Sequence, residues 1–530
     1  NNIAGLDMSG GYATVSGDAD FGLIDLTSGR LVGLAGSTIR AGSISVRQGA
    51  TFGSAGHVIG NVNVAGTLSP GASPGTMTVT GNVALTGGST TLMEVSPTLS
   101  DQLLISGTLT IAQGAGLVLT ADQQIKPGTT LDLIIADGGI SGSYTSIVKP
   151  DSLFGFVVQD DTRIRLLGRF LNNGSFTPQV QRAIDYTNGV IGAGMASDGL
   201  IDALPVLASA SGASNSTAFA RLTAEPYASA TQMGVENGLT IANATRNIAR
   251  LSGDDAPRAF SIGQYLGGLG RIAADDQDGV SASRSRSYGL LGGLGIGTDH
   301  WSIAGFGGYL DSRQTLRQLG SQTDADGWLA GVAGSYAVGA LRFDATLAYH
   351  QLDAGTDRLT PDGSTAHGRF RLKNWVGDLS LSYEAVLGSD WAAQPDIGLT
   401  YVATTRAAVR EDNGSVWALD VAKDKHDALF ADGGIAFVRS RASDAPFRPF
   451  VRLGVQYQLK GRSVEALAGF SGANQDLLSL GARRGGLVGS VSGGAEMRVS
   501  SALSLFANAA QTYSADDRRA SANIGMKFAF

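Results

Sequence analysis

Between residues 520 and 530 the chain alternates strictly. Ile524, Met526, Phe528 and Phe530 fall on one face of an extended segment, and Asn523, Gly525, Lys527 and Ala529 fall on the other. An apolar face backed by small or polar residues at period two is what a strand needs when lipid lies on one side and water on the other. From Arg258 onward about twelve strand-length segments follow this rule, near 258–271, 284–297, 300–312, 325–338, 340–352, 371–387, 391–405, 427–440, 447–460, 486–499, 502–512 and 520–530, with lengths of roughly 10–14 that suit tilted membrane-crossing strands. In the fourth, Trp328, Ala330, Val332, Tyr336 and Val338 share a face. In the fifth, Leu341, Phe343, Leu347 and Tyr349 oppose Arg342, Asp344, Thr346 and His350. In the ninth, Val451, Leu453, Val455, Tyr457 and Leu459 oppose Arg452, Gln456, Gln458 and Lys460. Unpaired charges on an inward face are tolerated only beside water. Strand parity therefore assigns Arg342, Asp344, Lys373, Asp378, Glu384 and Arg452 to a wet lumen, an assignment that a bulge would invert.

The connections give a second pattern. Short turns are expected at Thr298-Asp299, Gly339, Gly388-Ser-Asp390 and Ser500-Ser501. Long polar ones are expected after the first, third, fifth, seventh and ninth strands, as at 273–278, 353–368, 407–426 and 461–485. Alternating short and long connections are those of an outer-membrane barrel, short toward the periplasm and long outside. Trp301, Trp328, Trp375 and Trp391 sit near strand ends, where aromatic girdles form.

The first 170 residues read differently. Short β runs such as Ile44-Ser45-Val46, Val62-Asn63-Val64, Met77-Thr78-Val79, Val83-Ala84-Leu85 and Leu109-Thr110-Ile111 are separated by glycine turns. Each run is too short for an independent sheet, but stacked coils bury a continuous aliphatic stripe, which predicts a β-helix of unspecified hand. Between Thr177 and Asp255 the text becomes Ala-rich and helix-compatible. One helix is expected near Pro178, with Val180, Ile184 and Ile191 at helical spacing, then a loose connection over 192–216, then a small-sided helix over about 226–251.

Composition narrows the class. The chain has 75 Gly, no Cys, 16% charged residues and a net charge of −7. No run reaches the roughly 18 apolar residues of a membrane helix, so membrane crossing requires a closed barrel. Disulfides and cysteine metal sites are excluded, and no basic footprint for nucleic acid is present. No signal peptide opens the chain, and Asn1 begins mid-pattern, so a preceding segment is expected. His57, His300, His350, His367 and His426 lack metal-ligand spacing. Gly293-Leu-Gly-Ile-Gly297 lies within a strand and reads as packing. Asp275, Asp276 and Asp278 read as a solvated loop in preference to a Ca²⁺ site. Gly71-Ala-Ser73-Pro-Gly75 fits the G-x-S-x-G nucleophile pattern, but Pro74 removes the N–H that an oxyanion hole needs and no helix follows. No enzyme, metal or cofactor is expected.

Several phrases carry a family resemblance. Ser69-Pro-Gly-Ala-Ser-Pro-Gly-Thr-Met-Thr-Val-Thr-Gly-Asn82 resembles a stretch late in the passenger of bacterial type Va autotransporters. Asp101–Thr108, Lys126–Thr129 and Gly138–Tyr144 resemble the succeeding pertactin-like segments, and Leu222–Ser229 resembles the phrase before autotransporter barrels. The resemblance implies an all-β chain with a short helical segment: a β-helix passenger end with autochaperone over 1–170, a helical linker over 171–257, and a twelve-stranded antiparallel transmembrane barrel over 258–530, with the helix threading its pore. It implies that Ser69, Pro70, Gly71, Ser73, Pro74 and Gly75 form the autochaperone motif. Tyr227, Asn237, Asn243, Arg246 and Arg250 would belong to the pore helix, and Ile524, Met526, Phe528 and Phe530 to the barrel-assembly signal. Some autotransporters cut themselves at adjacent Asn residues in this helix. Here Asn172-Asn173 precedes it, and Asn237-Gly238 reads as an ordinary Asn-Gly pair. The implied function is outer-membrane secretion and surface display of the β-helix by a monomer. The implied partners are outer-membrane lipid, with the barrel-assembly machinery and periplasmic chaperones during biogenesis. The alternatives are a surface adhesin binding host or neighbouring cells and a general porin.

Overall fold

The computed structural model describes all residues except 1, 72–73, 97–98, 122–129, 151–154, 173, 210–212, 247, 249–255, 389, 413 and 441–444. The chain divides into two compact units, Asn1–Asn173 with Thr187–Asn215, and Gly174–Tyr186 with Ser216–Phe530.

The first unit is a parallel β-solenoid. Its short strands stack coil on coil, so that Ile44, Val62, Val83 and Leu109 lie in one ladder and Val46, Val64, Leu85 and Ile111 in the next. All eight are buried. Each run alone has too little apolar surface to fold; the stack supplies neighbours above and below. The far end closes with antiparallel pairing between Arg163–Gly168 and both Thr130–Ala136 and Gly155–Gln159. Ser69, Pro70 and Gly71 end the strand Thr67–Pro70, and Pro74 and Gly75 lead into Thr76–Thr80. Ser73 lies outside the described residues. Buried Asp101 ties this corner to its neighbours: its Oδ1 accepts from Gly75 N at 2.9 Å and its Oδ2 from Glu94 N at 2.7 Å. Burial pushes this carboxyl above its ordinary range against those two hydrogen bonds. Gly71 has φ +83°, and a Cβ there would meet Asp101 Oδ1 at 2.1 Å, so glycine is required on both counts.

The second unit is a closed antiparallel barrel of twelve strands. They are β1 Arg258–Ile272, β2 Ser283–Gly297, β3 Trp301–Leu316, β4 Ser321–Val338, β5 Leu341–Leu359, β6 Thr365–Tyr383, β7 Trp391–Arg406, β8 Asp424–Arg439, β9 Phe447–Lys460, β10 Leu487–Arg498, β11 Leu503–Tyr513 and β12 Asp517–Ala529. Each pairs with its sequence neighbours, and β12 pairs with β1 from Phe260↔Ala529 to Ile272↔Asp517, which leaves no open edge. Alternation holds as the sequence predicts: Ile524, Met526, Phe528 and Phe530 are exposed, with Asn523, Gly525 and Lys527 turned inward.

The exposed face carries two aromatic rows. Trp301, Tyr336, Phe343, Tyr383, Trp391, Phe437 and Phe447 mark the rim of short turns. Tyr288, Tyr309, Trp328, Tyr349, Trp375, Tyr401 and Tyr457 mark a second level. Trp391 and Tyr401 are ten positions apart on β7. That is about 33 Å of strand and about 25 Å along the barrel axis after the usual tilt, the height of a lipid-facing band.

Two expectations change. The connections after β3 and β5 are tight, 317–320 and 360–364, because β3 to β6 run past the second aromatic row as protruding hairpins. Their outward positions turn from apolar to charged there, at Asp353, Asp357, Arg371 and His367, so the alternation continues in water where the polar text reads as a loop. The connection 192–216 contains helical turns at Asp198–Ala203, Leu204–Leu207 and Ser216–Ala220.

Leu453→Arg, in the middle of the outward row of β9, is expected to cost about 2–4 kcal/mol in urea unfolding from bilayers, whereas Gly355→Arg on the β5 protrusion costs about 0–1 kcal/mol. In the solenoid, Asp101→Ala strands two buried N–H groups and is expected to cost about 1–3 kcal/mol, read by pulse proteolysis in urea.

Candidate functional site

The lumen is filled by one helix, Glu225–Thr245, almost all of it buried. Pro226 suits its first turn, where a missing N–H costs nothing, and its Ala, Ser and Thr side chains keep it slim. Two glycines, four residues apart and hence on one face, set its seat. A Cβ on Gly234 would come within 2.8 Å of Thr404 Cγ2, and one on Gly238 within 2.6 Å of Val402 Cγ1. Each glycine costs about 1 kcal/mol of helix propensity, which the close approach to the β7 wall offsets.

Polar side chains pin the helix at three levels. At its amino end, Ala224 N donates to Ser479 Oγ at 2.9 Å, and Glu225 Oε1 accepts from Ser281 N at 2.6 Å. Gln179, on the helix Pro178–Gly192, donates to Glu225 Oε2 at 3.3 Å and to Leu480 O at 3.0 Å. A small sheet drawn from the two long connections, Val409–Arg410, Leu419–Val421, Glu465–Phe470 and Leu477–Leu480, closes over this mouth. Beneath it Tyr227 OH donates to Glu411 Oε1 at 2.8 Å. Arg358 holds both oxygens of Glu411 at 2.8 and 2.5 Å and donates to the carbonyls of Arg221 and Trp417. Arg358 and Glu411 are fully buried, so neither charge is tolerable without the other.

Halfway down, Arg519 of β12 pairs with Glu236 at 2.7 Å, Ser285 donates to Glu236 Oε2 at 3.0 Å, and Ser312 donates to Asn237 Oδ1 at 3.0 Å. At the carboxyl end Arg246 is gripped by two aspartates, Asp378 on β6 at 2.8 and 2.9 Å and Asp432 on β8 at 2.7 and 2.9 Å. Arg452 of β9 bridges Asp432 to Asp396 of β7, at 3.3 and 2.5 Å. Two guanidinium groups thus share three carboxylates across four strands, and both arginines use the planar fork that suits carboxylates. Gln264 of β1 closes the end by donating to Ala244 O at 3.1 Å.

Of the residues assigned to the lumen by parity, Asp378 and Arg452 meet in this cluster. Arg342 and Asp344 are buried near the short-turn rim, where Arg342 donates to Ser335 Oγ at 2.7 Å. Lys373 is a correction: it is exposed beside Trp375 on the outward face of β6, because its odd position cannot share a face with even-numbered Asp378. Glu384 is a second correction. It lies past the end of β6 in the short-turn rim, accepting from Gln394 at 3.0 Å, off the path of the helix. On the helix, Tyr227, Asn237 and Arg246 meet the wall, Asn243 is exposed, and Arg250 lies outside the described residues. Asp396, Asp432 and Arg519 were missed, although lone inward charges on alternating strands were a readable signal. Glu411 had none, because it sits in a connection. Asn237-Gly238 lies in mid-helix, where the backbone N–H groups belong to the helical ladder. Asp275, set apart as a loop residue, pairs with Arg483 at 3.2 Å. Gly295 faces the Phe260 ring, consistent with packing.

Residues 262–510 match the family model described as the autotransporter β-domain. Among solved structures, the chain is similar to the translocator domain of the autotransporter NalP from Neisseria meningitidis, at 17% identity over 58% of this chain and 100% of that one, with a TM-score of 0.48. It is similar to the β-domain of the Bordetella autotransporter Brka at 17% identity, covering 52% and 99%, with a TM-score of 0.38. It is also similar to the transport unit of AIDA-I from Escherichia coli at 16% identity, covering 58% and 99%, with a TM-score of 0.39. No curated protein matches the chain.

Arg246→Ala would leave Asp378 and Asp432 buried with only Arg452 nearby. It is expected to destabilise the barrel by about 3–5 kcal/mol, read as a lower temperature of gel-mobility change, and to raise single-channel conductance as the helix loosens.

Proposed function

We propose that this autotransporter β-domain and the unit before it form the C-terminal part of a type Va autotransporter: an outer-membrane translocator that delivers and displays a β-helical passenger at the cell surface. The observation that carries the reading is the seated helix. Its amino end lies at the mouth covered by the long connections and its carboxyl end points toward the rim where β1 and β12 meet. With long connections outside, as in outer-membrane barrels, the chain before the helix leaves on the external side. A helix held by polar contacts at three levels, with ion pairs at two of them, suits a channel used once for export and then stoppered. It argues against a general porin, which needs its lumen open.

In this reading the solenoid is the passenger end, and the corner at Ser69–Gly75, tied down by Asp101, belongs to an autochaperone that folds first outside. The outward belt meets outer-membrane lipid. The row Ile524, Met526, Phe528 and Phe530 is the assembly signal read by the barrel-assembly machinery after periplasmic chaperones have carried the unfolded chain. The device works as a monomer without catalysis or cofactor. Adhesion to host or neighbouring cells would be a property of the displayed passenger.

The test is protease shaving of intact cells expressing the chain with an amino-terminal epitope. The epitope is expected to be lost while a protected, heat-modifiable fragment of about 30 kDa remains, roughly half the chain. An epitope that survives on cells whose barrel is folded contradicts surface display.

A further inference from the structure

The outward face of the barrel carries an uneven distribution of charge just beyond the second aromatic row. On β12, β1, β2 and β3 five outward positions there are arginines, with Leu269 opposite Arg286 and Asp311 opposite Tyr288 beside them, and the register sets several of the arginines directly against one another. Arg271 pairs across with Arg518 on one side and Arg284 on the other, and Arg286 pairs across with Arg313. Arg286 and Arg284 lie two and four positions past Tyr288 on β2, about 7 and 13 Å along the strand. Like charges directly opposite in a sheet repel. Among the described residues, Arg313 has Asp324 as an ion-pair partner, while no carboxylate lies within ion-pair distance of Arg271, Arg284, Arg286 or Arg518. The other side of the barrel differs: at the same height, four positions past Trp375 and Tyr349, Arg371 is matched by Asp353.

Arg518 lies over the Tyr513 ring, 4.9 Å from its centroid, but a ring does not neutralise a charge, so an external polyanion would stabilise the barrel at this patch. Its height excludes the hydrocarbon and places it at the headgroups of the outer leaflet. Arginine forks take phosphate oxygens two at a time, and the ladder spacing spreads the forks over a headgroup carrying more than one phosphate. We propose that Arg271, Arg284, Arg286 and Arg518 form a docking site for a phosphorylated glycolipid of the outer leaflet, of the lipopolysaccharide class. The site straddles the β12–β1 seam, so a bound lipid bridges the two strands that close the barrel. The inference rests on the outer-membrane reading of the barrel.

The experiment uses the full chain, folded in detergent and transferred to nanodiscs of phosphatidylethanolamine with a small fraction of lipopolysaccharide. Folding is scored by heat-modifiability and bound glycolipid by native mass spectrometry. Wild type is expected to retain one glycolipid through dilution. Arg271→Ser/Arg284→Ser/Arg286→Ser is expected to lose affinity by roughly a hundredfold, about fivefold for each arginine. A control stripped of solenoid charges, Arg30→Ser/Arg40→Ser/Arg47→Ser, is expected to match wild type. A second arm needs no variant: wild type with lipopolysaccharide whose phosphates have been removed is expected to lose the bound lipid, and inorganic phosphate at equal concentration is expected not to displace the intact one. Equal retention by wild type and the triple variant, equal retention of the dephosphorylated lipid, or displacement by inorganic phosphate overturns the proposal. A chain that shows no heat-modifiable barrel overturns the membrane reading instead, so the two failures are distinct.

Discussion

Everything in the second unit depends on the pairing of β12 with β1. In a bilayer no water is available to satisfy a strand edge, so a sheet that crosses must close on itself. Thirteen register pairs from Phe260↔Ala529 to Ile272↔Asp517 perform that closure. Closure fixes the rest. It forces side chains to alternate between lipid and lumen, which is why the outward rows can be aliphatic and aromatic while the inward rows carry Asp378, Asp432 and Arg452. It also creates an interior too narrow for a second sheet and wide enough for one slim helix.

The helix and the wall answer each other chemically. Gly234 and Gly238 sacrifice helix propensity where the wall presents Thr404 and Val402, and Arg246 enters a lumen already holding three carboxylates. Removing one partner from such a cluster is far more costly than the net worth of the pair, since the remainder stays buried and charged. The cluster therefore favours a single depth of insertion. Tyr227 with Glu411 and Arg358 does the same at the other end, where the long connections fold inward as a small sheet. A channel organised this way is stable when occupied.

Period-two alternation made the barrel legible, because each strand states its own facing in every second residue. All twelve strands lie where the pattern puts them, with ends that differ by a few residues. The exceptions are physical. The β5–β6 hairpin runs on past the lipid band, and there a strand's outer face becomes as polar as a loop. Lys373 fails because charge alone suggests a lumen, whereas facing is decided by parity, and a lysine beside Trp375 is at home where lipid meets water. The cluster around Arg246 was half legible: Asp378 and Arg452 could be assigned inward, but their meeting with Asp396 and Asp432 depends on cross-strand register, which parity does not give. Glu411 was out of reach, because a residue of a connection acquires its place only from tertiary folding.

The central claim is that the Glu225–Thr245 helix sits inside the closed barrel of the assembled protein at one depth. The chain contains no cysteine, so a single introduced pair reports without background. Gly234→Cys with Thr404→Cys places two sulfur-bearing side chains where a Cβ on residue 234 would lie 2.8 Å from Thr404 Cγ2, close enough for a disulfide to form with little rearrangement. The measurement is the extent of cross-linking under mild oxidation in isolated outer membranes, with Gly234→Cys and outward-facing Tyr401→Cys as the control. Near-complete cross-linking of the first pair and none of the control is the predicted result. A folded, heat-modifiable barrel in which the first pair stays reduced would contradict the seated helix.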